Sequence, residues 1–383
     1  MSPSKMTTTF IEPLDVLFLR GNKLFGDAGS FGESLIPPWP SVAAGALRSA
    51  VLAAKGVDLV AFAESKLVDP ELGTPLNPGA FTLHGFQLAR KVINGTVQRL
   101  YPMPADWVAS VNPDNQVVSI KALRPMAIHP ALTASNSLPL VPLLTEMTRR
   151  KAESGMFLSE AGWASYLLDK VAPAHVLVKT ADLWRLDPRV GIGMNAITGS
   201  VEDGKLFTAQ AIAFSKGVGF VADTKGVNLG GVRLLRFGGD GRGATCHPVT
   251  QPAAPANYAA FAKARRMKLV LTAPALFASG WLPDGVVCND SGAYILTAPG
   301  IKATLVCAAV PRLEIASGWD LARRTPKAAE RVVPTGSVYW FDALEASAEA
   351  LANWVDAGLW GQSPNAARRA EGFNRFALAS WAV

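Results

Sequence analysis

The sequence predicts an α+β chain made of two βαββαβ units in tandem, and three observations carry that prediction. Of the 383 residues, 49% are hydrophobic and 17% charged, enough apolar material for a packed core and too little charge for a disordered chain. At roughly 100–200 residues per domain, the length allows two domains. The order of strand-like and helix-like segments then repeats, as strand, helix, strands in the first part and strands, helix, strand in the second. The repeat lies in element order only; the residues themselves do not repeat.

Taken in order, Thr8–Leu19 has strand character and ends at a turn around Arg20 to Asn22. Gly26–Gly32 is a glycine-rich loop. Pro37, Pro38, Trp39 and Pro40 force an extended backbone, after which Ser41 is a good N-cap for a helix over Val42–Lys55, closed by Gly56. Residues 57–187 read as a large irregular insertion with hairpin-like stretches at Phe81–Val92 and Val97–Val108, and a helix capped by Ser159 that runs to Lys170. Strands follow at Val190–Ala196, Leu206–Phe214 and Gly217–Ala222, around turns at Asp203-Gly204 and Ser215 to Gly217. Gly231–Phe237 is a further strand. Residues 248–257, with prolines at 248, 252 and 255, read as the best linker in the chain, so the domains divide as 1–250 and 251–383. The second unit has strands at Lys268–Phe277, Ala303–Ile315 and Gly336–Phe341, a helix over Ser347–Ala357 and a last strand at Phe373–Trp381. This is the element order of a ferredoxin-like unit.

Lys and Arg number 37 against 30 Asp and Glu, a net charge of +7. Residues 1–190 carry 18 basic and 16 acidic groups, residues 191–383 carry 19 and 14, so the excess sits in the second half. Such a balance permits a polyanionic partner without requiring one. Three cysteines without a Cys-x-x-Cys pair argue against a disulfide scaffold and a cysteine-rich zinc site. The first ten residues are polar and lack the apolar core of a secretory signal, and the most apolar stretch, Leu269–Pro283, is too short to span a bilayer. Cytoplasm is the expected compartment, with no membrane contact.

Several motifs have a plain reading beside a functional one. Gly191-Ile192-Gly193-Met194-Asn195-Ala196 spells GxGxxA, but it lacks the strand-then-helix frame of a dinucleotide site. Ala28 to Gly32 resembles a nucleophile elbow missing its first glycine, and the prolines at 37–40 deny it the helix. No histidine is followed by Asp, and none pairs at i, i+4 for zinc. No phosphate-binding P-loop exists. The loop 238–243 sets four glycines around Asp240 and Arg242, either a tight hairpin turn or a cradle whose backbone N–H groups approach an anion. Residues 241–283 contain no acid, and Lys263, Arg265, Arg266 and Lys268 are either phosphate contacts or a solvated helix end. In the acid-free stretch 72–105, Arg90, Lys91 and Arg99 lie near Tyr101 and Trp107, which suits single-stranded nucleic acid and equally an ordinary strand face.

Five segments in order carry a resemblance: Asp15 to Gly21 with Leu24-Phe25, Pro37 to Ser49, Arg189 to Gly193 leading to Gly204-Lys205-Leu206-Phe207, Gly238 to Arg242, and Val333 to Tyr339. Together they resemble the third subunit of the Cmr effector complex of type III-B CRISPR systems, a RAMP-superfamily family. Leu19 stands where that family favours an aromatic residue, and Asp240 where Glu is common. The resemblance implies two tandem ferredoxin-like RAMP domains, with the large insertion in the first. It implies binding of the 5′ repeat-derived tag of the CRISPR RNA, docking against the large polymerase-like subunit and the adjoining backbone subunit, indirect contact with target RNA, and a place in antiviral defence. Neither catalytic activity nor a cofactor or metal is expected. On that reading the RNA-contact residues are Arg20, Lys23, Ser41, Arg48, Arg189, Asn195, Thr198, Lys216, Gly239 and Arg242, with Arg48 alternatively a structural ion-pair partner. The rival reading is a metal-independent RAMP endoribonuclease using His84 or His175 as general acid and base.

Overall fold

The computed structural model describes residues 6–19, 31–112, 117–129, 131, 137–145, 153–170, 172–195, 197–250, 256–320, 325–361 and 365–381. It is a mixed α/β structure with many antiparallel strands and few helices, dominated by two large sheets. The first sheet is built from β1 (Thr7–Pro13), β2 (Thr82–Lys91), β3 (Val97–Pro102), β4 (Met156–Ser159) and β5 (Leu177–Lys179). A separate hairpin follows, β6 (Trp184–Met194) and β7 (Val201–Phe214), and the chain then returns to the first sheet through β8 (Val218–Lys225), β9 (Leu234–Arg236) and β10 (Gly243–Pro248). The spatial order is β5-β4-β3-β2-β8-β1-β10-β9. Helix α1 (Pro40–Ala54) covers one face: its Ala43, Ala44, Leu47, Val51 and Leu52 share a core with Ile11, Leu83, Leu88, Phe220 and Ala222. Each large apolar side chain buried there stabilises the fold by about 1.5–3 kcal/mol.

The second sheet follows α2 (Tyr258–Ala264). It comprises β11 (Met267–Leu271), β12 (Val286–Cys288), β13 (Tyr294–Ala298), β14 (Ile301–Ala309), β15 (Val338–Ala346) and β16 (Phe376–Ala379), in the order β12-β13-β14-β15-β11-β16. Helix α3 (Ala348–Ala357) starts at Ser347, whose hydroxyl accepts the Ala350 N–H at 3.0 Å, and packs Leu351 and Trp354 onto one face. Both sheets contain a four-stranded antiparallel core in which the strands lie second, third, first, fourth: β2-β8-β1-β10 and β14-β15-β11-β16. The first core has its helix between strands one and two, the second between strands three and four.

The far face of the second sheet is also covered. Trp107, Trp163 and Tyr166, contributed from before β6, pack against Val270, Val338, Trp340 and Ala379. All five residues of β11 are therefore buried, because alternate side chains enter two different cores. Lys268 points into this second core, 1% exposed, with its ammonium 2.9 Å from the Asp106 carboxylate and 4.1 Å from the centre of the Tyr166 ring.

Several boundaries differ from the sequence reading. The stretch 57–187 is not an irregular insertion; it supplies β2, β3, β4 and β5 to the first sheet. The first strand ends at Pro13, since residues from Leu14 onward leave the ladder and only Leu17 bridges to Ile212. Ser41 does not cap α1: the helix begins one residue earlier at Pro40, whose fixed φ suits the first helical position, and the cap residue is Trp39, without a side-chain hydrogen bond. The hairpin turn falls at 195–200, and Asp203-Gly204 lies inside β7. The expected strands at Gly231–Phe237, Lys268–Phe277, Ala303–Ile315 and Phe373–Trp381 shorten to β9, β11, β14 and β16, while Gly336–Phe341 lengthens to β15. The centre of the linker, 251–255, and the glycine-rich loop at 26–30 lie outside the described residues.

Candidate nucleic-acid interface

The β6–β7 hairpin is the most exposed long element. Strand alternation gives it two unlike faces. On one face Trp184, Leu186, Pro188, Val190 and Ile192 oppose Phe214, Ile212, Gln210, Thr208 and Leu206. The root of this face is core: Ile212 is fully buried, and Trp184 meets Phe157 and Phe214. Further out the same face is bare, with Val190 70%, Leu206 56% and Ile192 47% exposed.

On the other face Arg185, Asp187, Arg189 and Gly191 oppose Ala213, Ala211, Ala209 and Phe207. The alanine row is a flat floor on which Val16 and Phe18 sit. The Gly-Ile-Gly run has its explanation here. A Cβ on Gly191 would lie 2.3 Å from the Phe207 ring, and one on Gly193 would lie 2.7 Å from Lys205 Cβ. The glycines let the opposing side chains lie across the strand; they open no helix and cradle no nucleotide. At the tip, Asn195 Oδ1 accepts the N–H groups of Ile197 and Thr198 at 2.9 and 3.0 Å, and the Thr198 and Ser200 hydroxyls are 2.7 Å apart.

The glycine loop joins this second face from the side. Gly238, Asp240 and Gly241 have positive φ, and the Phe237 N–H donates to the Arg242 carbonyl at 2.8 Å, so the loop is a tight turn between β9 and β10. The Gly239 N–H is not directed outward to an anion; it donates to the Phe18 carbonyl at 2.8 Å. Arg242 lies over the Phe18 ring, 5.2 Å from its centre, and its Nη1 donates to Asp15 Oδ2 at 2.8 Å, while its buried Nε has no partner. Arg189 donates through Nε and Nη2 to Asp187 Oδ2 at 3.1 and 2.9 Å.

Of the residues expected to contact RNA, the structure thus gathers Arg189, Gly239 and Arg242 around one floor, with Asn195 and Thr198 at the tip of the same hairpin. Lys216 is exposed in the turn at the opposite end of β7. Arg48 faces inward from α1: its Nη2 donates to the carbonyls of Leu72 and Thr74 at 3.2 and 3.0 Å, its guanidinium lies over Phe62, and burial lowers its pKa. Ser41 is half-buried in the first turn of α1. Arg20 and Lys23 lie outside the described residues.

The two basic stretches singled out in the sequence are largely consumed by the fold. Arg265 reaches Glu345, Arg266 forks onto Asp342 and stacks on Trp381, and Lys268 is buried against Asp106; Lys263 alone of that run remains exposed without a partner among the described residues. In the earlier stretch Arg99 binds Asp223 through both terminal nitrogens at 2.6 and 2.7 Å, and Tyr101 stacks on Trp163 inside the protein.

The two histidines of the nuclease reading differ. His84 accepts at Nδ1 from Arg375 Nη2 at 2.9 Å, with Asp356 3.7 Å away. Burial, then the charges of Arg375 and Lys225, push its pKa down to about 4, so it is neutral at pH 7 with its lone pair engaged. His175 is exposed on the short 3-10 turn Ala174–Val176. Among the described residues no three His, Cys, Asp or Glu side chains are grouped to hold a metal, and no helix is long and apolar enough to cross a membrane.

A family model for the CRISPR-associated protein Cas_Cmr3 matches residues 9–381. The chain belongs to that family. The resemblance read from five short segments is thereby borne out across nearly the whole length. Comparison with curated proteins found no match. Among solved structures, a chain of the type III-B Cmr-beta complex bound to cognate target RNA and AMPPnP, in state 1, is similar at 18% identity, with 87% of this chain and 86% of that one covered and a TM-score of 0.45. A chain of the same complex bound to cognate target RNA alone is similar at 18% identity over the same shares, with a TM-score of 0.46.

Three features of this Cas_Cmr3 surface escaped the sequence reading: Phe18 as the ring beneath Arg242, Asp15 and Asp187 as arginine partners, and Arg185 on the same face. The alternation of Arg185, Asp187 and Arg189 along one strand was the available signal for Asp187 and Arg185.

Proposed function

We propose that this Cas_Cmr3 chain is a non-catalytic subunit of a type III-B CRISPR effector complex that binds the 5′ repeat-derived tag of the crRNA. The observation that carries the reading is the floor on one face of the exposed hairpin, where a guanidinium stacked on an aromatic ring and a second arginine fork stand beside a row of alanines. Phosphates of a single strand suit the forks. The neutral, occupied state of His84 weighs against its use as general acid in the rival nuclease.

The two four-stranded cores with their shared order support tandem ferredoxin-like units, each lacking one of the two usual helices. We read the boundary between them near residue 250. Docking against the large polymerase-like subunit and the adjoining backbone subunit, and indirect contact with target RNA, complete the proposal.

The test is binding of a short RNA carrying the tag, against a scrambled control, in a salt series with the same samples checked for cleavage. Tag-preferring, salt-sensitive binding without cleavage is the expected result. Metal-independent cleavage of repeat RNA would replace this reading with the nuclease, and equal binding of both strands would remove the tag.

A further inference from the structure

Both arginines on the floor beside the hairpin are held by acids that are themselves exposed. The Asp187 side chain is 38% exposed and takes both donors of Arg189; that of Asp15 is 58% exposed and takes one terminal nitrogen of Arg242. The acids come from different segments, one from the hairpin strand itself and one from the stretch after β1, yet each ends on an arginine of the same face. Neither acid is needed to hold the protein together. Exposed pairs contribute about 0–1 kcal/mol, and the Arg242 plane is set by its contact with Phe18 as well as by Asp15.

We infer that Asp15 and Asp187 set RNA specificity by occupying the phosphate-binding forks, so that an arbitrary strand meets two arginines whose charge is already neutralised. This rests on the RNA-binding reading above. A carboxylate and a phosphodiester each carry one negative charge and offer oxygens to the same donors, so they compete one for one. A strand anchored elsewhere on the chain displaces the acids by proximity, whereas a strand without such anchors must displace them unaided. The acids therefore cost the wrong strand relatively more than the right one. Arg185 lies two residues from Asp187 on the same face, exposed and without a partner among the described residues, and offers the first free charge an incoming strand meets.

The test uses the full chain with Asp15→Asn, Asp187→Asn and the double variant, and with Asp290→Asn as a control. Asp290 is exposed in the loop before β13 of the second sheet, and its substitution changes net charge by the same amount. Affinity for scrambled RNA at low salt is expected to rise about threefold for each guard variant and about tenfold for the double. The slope of log affinity against log salt steepens by about 0.7 per freed arginine. Tag RNA should gain less, so the ratio of tag to scrambled affinity falls. An equal gain with Asp290→Asn would make net charge the cause and overturn the inference. So would unchanged scrambled binding, or weaker tag binding, which would mean that the acids touch RNA or merely position the arginines. The functional reading fails separately, on the wild-type chain, if tag and scrambled strands bind alike.

Discussion

The seam between the two sheets and the outward face of the hairpin both carry paired cations, but the pairs differ in what surrounds them. At the seam, Lys268 and Asp106 are each 1% exposed, and Arg375, just before β16, reaches the carbonyl and ring of His84 on β2. At the hairpin, Arg189 and Arg242 meet acids that water reaches freely. A buried pair cannot exchange its partner without leaving a bare charge in a dry core, so it is structure. An exposed pair gives up its partner to any competing anion at little cost, so it is available for binding. Burial of the partner, rather than density of Lys and Arg along the chain, separates the two.

Breaking the seam should have the largest effect. Asp106→Ala removes the hydrogen-bonded partner of the Lys268 ammonium, leaving only the Asp169 carboxylate 3.8 Å away, and is expected to lower unfolding free energy by about 3 kcal/mol in a denaturant titration. A loss under about 1 kcal/mol would mean that water reaches Lys268 and that the seam resembles the hairpin after all.

The second effect is on pH. His84 titrates at about 4 in the folded chain against 6.5 for an ordinary histidine, so the unfolded state binds a proton first as pH falls. Its contribution is complete above pH 6.5 and is lost as pH falls from 6.5 to 4, the loss reaching about 3 kcal/mol by pH 4. The groups facing it are Arg375, Lys225, Asp356 and Asp223. His84→Gln should flatten the stability profile in that window; an unchanged profile would place the pH dependence elsewhere.

At the hairpin the readout moves from stability to RNA. Arg242→Ala is expected to weaken tag binding on the order of tenfold, the worth of one charge-assisted hydrogen bond, with little change in melting temperature. Arg48→Ala should do the opposite, because its fork serves the Leu72 and Thr74 carbonyls. It should cost about 1–3 kcal/mol of stability before it alters RNA affinity. The smallest effect is expected from Arg266→Ala, which removes a half-exposed pair with Asp342: about 1 kcal/mol or less of stability and under a twofold change in RNA binding. A tenfold loss of RNA binding there would return the 263–268 run to the interface.

What was legible in the sequence was local. Helix α1, helix α3, the turn at 238–243 and the strands β11, β14, β15 and β16 of the second sheet follow from patterns within a few residues, whereas β12 and β13 were not read. What was missed depends on distant partners. β2 and β3 do pair as the hairpin that the sequence suggests, but the place of β2 beside β8 is set by pairing across more than a hundred residues, as in Ala89 opposite Gly219. The Asp203-Gly204 pair is a strong turn signal, but the turn closes earlier because the Asn195 side chain caps the tip at 195–200. The run 263–268 looked free because Asp342 and Asp106 are 76 and 162 positions away in sequence. For the interface, Arg189 and Arg242 were legible as types, while the ring and the two acids that define their surroundings come from other segments.

The most direct measurement is the salt dependence of tag-RNA binding for the wild-type chain and for Arg189→Ala combined with Arg242→Ala. The account predicts weaker binding by the double variant, a salt slope shallower by about 1.4 and an unchanged melting temperature. Identical affinity and slope in a folded double variant would contradict it, and would leave the hairpin floor without a role in RNA recognition.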